Sequence, residues 1–118
     1  MHLEKTNKVW TLDNAIPLIR KIAPIAERHG FSVALYGSVL DEGQNGSDLD
    51  LFFVEQDPDI CDVLGCLQEI ATLPEIRNTG TPFRCTGGAC AVMWLRDGNH
   101  IDAQFRSYGP AYEQCEPT

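Results

Sequence analysis

The chain has 118 residues, 43% of them hydrophobic and 22% charged, and a formal net charge of −8 at pH 7. These values are typical of a globular protein rather than a disordered one, and we predict a single domain over residues 1–118, with its core at about 13–106 and a tail at 107–118. The excess of 17 Asp and Glu over 9 Lys and Arg disfavours nucleic acid as a partner, because such binding relies on cationic side chains that neutralise phosphates.

The first predicted element is a helix at residues 13–29, where Ile and Ala recur at helical spacing. Asp13 or Asn14 is the expected N-terminal cap, and Gly30 is the expected end of the helix. Pro24 has no backbone N–H, so the helix is expected to kink or break just before it.

Two strands are predicted next. The run FSVALYG, residues 31–37, is rich in β-branched and aromatic residues and ends in glycine. After a polar connection, DLDLFFV at residues 48–54 alternates between two kinds of side chain. The alternation places Asp48 and Asp50 on one face of this strand and its leucines on the other.

A second helix is predicted to begin at Asp57-Pro58 and to end at Pro74. Proline is favoured in the first turn of a helix, and further along it removes a hydrogen bond and commonly ends the helix. The apolar residues between these points recur at helical spacing, and we expect Ile60 and Leu64 to belong to the buried stripe.

The remaining elements are predicted to be strands. The glycine-rich stretch after Pro74 allows short strands near Ile76 and Phe83, and AVMWLRDGNHIDAQF reads as two strands joined by a turn at Asp97-Gly98. The order helix, strand, strand, helix and several strands indicates an α+β fold. We expect a small mixed or antiparallel sheet with the helices packed on one face.

The chain contains five cysteines, an odd number, and no C-x-x-C pair. This spacing matches no common zinc site and favours free buried thiols in a reducing compartment. No apolar run reaches the roughly 20 residues of a membrane span, and MHLEKTNKVW at the N-terminus lacks the apolar core of a signal peptide. We therefore expect a cytoplasmic protein with no membrane partner.

Three aspartates interrupt predicted apolar strands. Asp48 and Asp50 share one face of a strand, where two like charges repel each other unless a cation lies between them. Asp102 interrupts the last predicted strand in the same way and shares its face with His100. Carboxylate oxygens favour Mg²⁺ or Mn²⁺ over zinc, so converging aspartates would suit two such ions, an arrangement used in phosphoryl transfer.

A candidate phosphate site lies just before these carboxylates. Gly37 and Ser38 end the predicted first strand, where a glycine lets a phosphate approach the backbone and a serine hydroxyl can donate to its oxygens. Together with Ser47, they are the candidate nucleotide-binding residues.

The order Gly37-Ser38, nine residues, and Asp48-Leu49-Asp50 followed by LFFV resembles the signature of the DNA polymerase beta-like nucleotidyltransferase superfamily. The resemblance covers about residues 30–105. The short chain is most similar to the minimal nucleotidyltransferases, among them the antitoxin type that transfers AMP to helical toxins.

The resemblance implies an enzyme that moves NMP, above all AMP from ATP, to a hydroxyl acceptor. It implies that Asp48 and Asp50 bind both Mg²⁺ (or Mn²⁺) ions, and that Asp102 completes the catalytic metal site and assists deprotonation of the acceptor. A protein partner is the first expected acceptor, a small molecule such as an antibiotic the second, and a nucleic-acid end the third.

One feature departs from the family pattern. Minimal members often carry Arg shortly after Gly-Ser, whereas Val39, Leu40 and Asp41 follow here. Phosphate contacts must then come from other cations, and Arg84 and Arg106 are the candidates. The alternative hypothesis is a non-catalytic module, an antitoxin or regulator that keeps the fold and binds a partner.

Overall fold

The computed structural model describes residues 10–36, 49–85 and 87–106. Its elements are α1 (Leu12–Arg28), β1 (Phe31–Tyr36), β2 (Leu49–Glu55), α2 (Val63–Ile70), β3 (Ile76–Thr79), β4 (Phe83–Cys85), β5 (Gly88–Leu95) and β6 (His100–Arg106). The described strands form one sheet in the order β1-β2-β6-β5-β3, and β4 pairs with β5 outside that path. The predicted α+β class is confirmed.

The sheet is mixed. β2 and β6 run parallel at its centre, and the other paired strands are antiparallel. Alternate residues of the central strands are fully buried, which fixes which face meets the helices. α1 packs against β1 and α2, and α2 packs against β3, so both helices cover this apolar face.

Three phenylalanines join the central strands on the covered face. The rings of Phe53 and Phe105 stack with centroids 4.5 Å apart, and the Phe31 ring meets Phe105 edge-on at 5.1 Å. All three side chains have no exposed surface. Because aromatic pairs add to the energy of their burial, this cluster holds β1, β2 and β6 in a fixed relation.

α1 runs unbroken through Pro24, contrary to the predicted break. Pro24 lies on the exposed side of the helix, where water can satisfy the carbonyl that loses its N–H partner. The helix is capped by Thr11, whose hydroxyl accepts a hydrogen bond from the Asn14 amide at 3.2 Å. Gly30 follows the helix with φ of +85°, which confirms the predicted stop.

α2 is shorter than predicted. It begins at Val63 rather than at the Asp57-Pro58 pair, which lies in a turn. Asp62 is the cap, and its carboxylate accepts a hydrogen bond from the Gly65 amide at 3.0 Å. Ile60 is consequently outside the helix and 48% exposed, so its predicted place in the buried stripe was wrong. Leu64, at 37% exposed, was also wrongly assigned to that stripe.

The prediction of free thiols was wrong for one pair of cysteines. A disulfide joins Cys85 of β4 to Cys90 of β5, whose Cα atoms are 6.3 Å apart. Cys61 and Cys66 are free, as predicted, while Cys115 lies outside the described residues. In the part of the chain that the structure describes, no helix is long and apolar enough to cross a membrane.

Candidate functional site

Asp50 and Asp102 lie side by side on the parallel strands at the centre of the sheet. They are direct partners in the register of β2 and β6, and neighbouring strands of a sheet are about 4.8 Å apart. The residues on either side of each aspartate are fully buried, so both carboxylates project from the face opposite to the helices. The structure thus brings together two of the three predicted carboxylates.

The hairpin of β5 and β6 positions Asp102. Its turn has the predicted Asp97-Gly98 sequence, with Gly98 in the left-handed region at φ of +93°. The Asp97 carboxylate accepts a hydrogen bond from the Asn99 amide at 2.9 Å, and the Leu95 amide donates to the Asn99 carbonyl at 2.9 Å. This turn sets the register that places Asp102 on the open face of the sheet.

A cavity of about 490 Å³ opens beside the two carboxylates. Its polar side chains are two carboxylates and an amide, and its apolar ones come from β4, β5 and β6. The lining residues are Asp50, Phe83, Cys85, Cys90, Ala91, Val92, Asp102, Ala103 and Gln104. A concave, largely apolar pocket with a few converging polar groups is the usual form of a small-molecule site.

His100 lies at one end of the carboxylate pair. Its Nε2 atom is 4.0 Å from Asp102 Oδ2, and its ring centroid is 5.3 Å from that of the exposed Trp94. The buried Trp10 fixes the same backbone, since its indole N–H donates to the His100 carbonyl at 3.0 Å. The imidazole is therefore held beside Asp102 on the open face of the sheet.

Arg106 supplies positive charge at the other end. Its guanidinium donates to Gln104 Oε1 at 3.0 Å and lies over the Phe52 ring, 4.9 Å from the centroid. Alternation along β6 places it on the same face as Asp102. Of the two arginines predicted as phosphate ligands, Arg106 is thus on the side of the carboxylates.

Arg84 is placed differently. In the register of β4 and β5 it lies opposite the fully buried Ala89, whereas its neighbours Phe83 and Cys85 line the cavity. Alternation along the strand therefore turns Arg84 away from the two carboxylates. This placement gives no support to its predicted role as a phosphate ligand.

Four predicted site residues, Gly37, Ser38, Ser47 and Asp48, lie outside the described residues. The described backbone ends beside the carboxylates on both sides of this gap, because Tyr36 is the register partner of Asp50 and β2 begins at Leu49. The proposed nucleotide contacts of these four residues stay predictions.

The carboxylate pair has the ligand chemistry that the predicted divalent ions require. Two carboxylates on adjacent strands offer the hard oxygen ligands that Mg²⁺ and Mn²⁺ prefer, and a cation between them would offset their repulsion. Within the described residues no group of three His, Cys, Asp or Glu side chains is gathered for a metal ion. The third predicted ligand, Asp48, lies outside the described residues, so the pair fits part of such a site.

The chain is similar in fold to a protein of known structure. No protein-family model and no curated protein sequence matches the chain. Among solved structures, a cytoplasmic RNA terminal U-transferase matches it with a TM-score of 0.59 and 12% sequence identity. The likeness shows the fold. The chain has the polymerase beta-like nucleotidyltransferase fold, and the match covers 80% of this chain and 28% of the U-transferase chain.

The sequence did not predict that Phe83 and Cys85 of β4 form one side of the cavity, which we call the β4 wall. Phe83 is 40% exposed although phenylalanine is normally a core residue, and Cys85 and Cys90 were assigned as free thiols. The signal that could have found them is the pair Gly87-Gly88 between the two cysteines, because a Gly-Gly pair indicates a turn. Gly87 has φ of +82°, as such a turn requires.

Proposed function

We propose that the chain is a divalent-metal-dependent nucleotidyltransferase that moves a nucleoside monophosphate from a triphosphate to a hydroxyl acceptor. The observation that carries the proposal is the in-register pair Asp50 and Asp102, which lines an open cavity on the uncovered face of a nucleotidyltransferase fold. Like charges directly opposite each other on neighbouring strands are destabilising, and a bound cation would offset that repulsion.

In this proposal Asp50 and Asp102, together with Asp48, hold Mg²⁺ or Mn²⁺, which when bound would neutralise charge on the triphosphate. Asp102 orients the acceptor hydroxyl and takes its proton. The hydroxyl oxygen then forms a bond to the α-phosphorus while the bond to the β-phosphate oxygen breaks, and pyrophosphate leaves. Gly37, Ser38 and Ser47 would hold the phosphates through backbone and hydroxyl donors.

For the substrates, we propose ATP as donor and a protein hydroxyl as acceptor. The formal charge of −8 favours a basic protein partner over a polyanion. A small molecule is the second acceptor class. The U-transferase neighbour acts on RNA, so an RNA end is the third class, and the acidic composition weighs against it.

The test uses each of the four α-³²P-labelled nucleoside triphosphates with Mg²⁺ or Mn²⁺ in a bacterial lysate. We expect label to be transferred to one class of acceptor by the unaltered protein and to be lost with Asp50→Asn or Asp102→Asn. Asp59→Asn is the matched control, because Asp59 is an exposed aspartate in a turn outside the cavity.

A non-catalytic binding module is the second candidate function. Two observations favour it: no basic residue follows Gly37-Ser38, and Arg84 is turned away from the carboxylates. Absence of label with all four nucleotides, together with capture of a stoichiometric protein partner that survives Asp50→Asn, would support the module and contradict the enzyme.

A further inference from the structure

The Cys85–Cys90 disulfide forms part of the wall of the carboxylate cavity. Both cysteines line the cavity together with Asp50 and Asp102, and both are partly exposed. In the β-sheet register, Cys90 lies opposite Gln104, the next residue after Asp102 on the same face of β6. The bond is therefore accessible to a reagent from the side on which substrate would enter.

The strand that carries Cys85 is short and peripheral. β4 has three residues, pairs with β5 at the periphery of the sheet and is separated from it by two residues in the sequence. Its one large apolar side chain, Phe83, is 40% exposed and is therefore packed less completely than the phenylalanines of the core. Short peripheral strands open more readily than central ones, so the disulfide adds a constraint that the hydrogen bonds of this strand do not supply.

We propose that the redox state of the Cys85–Cys90 bond controls nucleotide binding at the carboxylate cavity. The oxidised form holds β4 against β5 and keeps Phe83 and Cys85 in the wall. The reduced form releases the wall and binds nucleotide less tightly. This inference rests on the proposed function for the identity of the ligand, but not for the motion of the wall.

The step requires a dithiol reductant. Its thiolate attacks one sulfur of the disulfide and forms a mixed disulfide, and its second thiol displaces the protein sulfur. The S–S bond of Cys85–Cys90 breaks, a disulfide forms within the reductant, and two electrons and two protons pass to the two cysteines. Oxidation by a disulfide of the same class reverses the exchange.

The other two described cysteines lie where they take no part in this thiol–disulfide exchange. Cys66 has no exposed surface, and the Cys61 thiol donates to the Gly30 carbonyl at 3.4 Å, away from the cavity. Burial raises the pKa of both thiols, which lowers their thiolate fraction. A dithiol therefore acts on Cys85 and Cys90 selectively.

The experiment measures the affinity of the protein for Mn²⁺-ATP before and after treatment with a dithiol, by isothermal titration calorimetry. Every sample carries Cys115→Ser so that this residue cannot exchange. If about a tenth of the reduced molecules keep the wall in the arrangement of the oxidised form, the affinity for Mn²⁺-ATP falls about tenfold. Added to Cys115→Ser, the double change Cys85→Ser/Cys90→Ser should give weak binding with or without dithiol, and Cys61→Ser should respond to dithiol as the Cys115→Ser protein does.

Hydrogen exchange of residues 83–90 in the two redox states provides a readout that needs no ligand. Faster exchange after reduction, with the rest of the sheet unchanged, supports the proposal, and equal exchange overturns it. Equal Mn²⁺-ATP affinity in the two states, or alkylation of Cys85 and Cys90 before reduction, also overturns it. If neither state binds any nucleotide, the proposed function fails, and hydrogen exchange alone then decides whether the bond controls the wall.

Discussion

Replacing Gly88 by alanine should destabilise the sheet where β5 pairs with the central strand β6. A Cβ atom on Gly88 would lie 1.7 Å from the carbonyl oxygen of Phe105 and 2.9 Å from its carbonyl carbon. Contacts between carbon and a carbonyl oxygen are normally about 3.4 Å. Two backbones of a packed sheet must therefore separate by about 1.5 Å, because no flexible side chain is present to move instead.

The cost of this separation follows from the behaviour of overpacked cores. Forced backbone shifts cost about 3 kcal/mol at the upper end of the usual range. The small entropic gain of a Gly→Ala change offsets less than about 1 kcal/mol of that. With an unfolding entropy of about 2.1 cal/mol/K per residue, a net loss of about 2–3 kcal/mol lowers the Tm of a chain of this length by roughly 8–12 °C.

Thermal and urea unfolding followed by circular dichroism would measure the change. Gly80→Ala is the matched control, since its Cβ would meet the Val92 carbonyl oxygen at 3.3 Å and needs a shift of only a few tenths of an ångström. A Tm for Gly88→Ala within about 2 °C of that for Gly80→Ala would refute the argument from backbone contact.

Two further predictions concern titratable groups. Hydrogen bonds from Arg28 and His29 lower the pKa of Glu69 below its usual 4.5, so its stabilising effect is complete above that value and is lost as the pH falls through the lower folded pKa. The stability that Glu69 adds relative to Glu69→Gln in urea unfolding should be present above pH 4.5 and should decrease as the pH falls below that value, and a difference that does not decrease in acid would contradict this. Burial, with the nearby charges of Glu55 and Asp57, raises the pKa of Cys61 to about 11 from 9.0. Iodoacetamide at pH 8 should therefore alkylate Cys61 about 100-fold more slowly than an unfolded thiol, as mass spectrometry can follow, and equal rates would refute the assignment.

The strands that carry the carboxylates were predictable because their alternation is strict. In β2 the residues flanking Asp50 are fully buried and Asp50 itself is not, as the sequence indicated. The turn at Asp97-Gly98 was equally clear, since only a left-handed residue closes such a hairpin without strain. The local sequence pattern was sufficient to predict both these strands and this turn.

The errors come from signals that local pattern does not resolve. Asp57-Pro58 has the residues of a helix start, but the same pair forms a turn, and the true cap Asp62 is distinguished only by its bond to Gly65. The Cys85–Cys90 pairing depends on the β4–β5 register, which spacing alone does not give. The pairing of Asp50 with Asp102 is a parallel, long-range contact, and it was expected from a family resemblance rather than from composition.

The site divides into a rigid part and an adaptable one. Asp50 and Asp102 lie on central strands whose opposite face is fixed by the Phe53–Phe105 stack, so the distance between the carboxylates is set by the core. The wall on β4 depends on a short peripheral strand and one covalent bond. A transfer reaction needs its charged groups held in place, whereas recognition of different substrates needs a boundary that can change. If the proposed transfer reaction is correct, substitutions in the core should therefore alter stability and reaction rate together, while changes at Phe83 or the disulfide should alter nucleotide affinity with little effect on the fold.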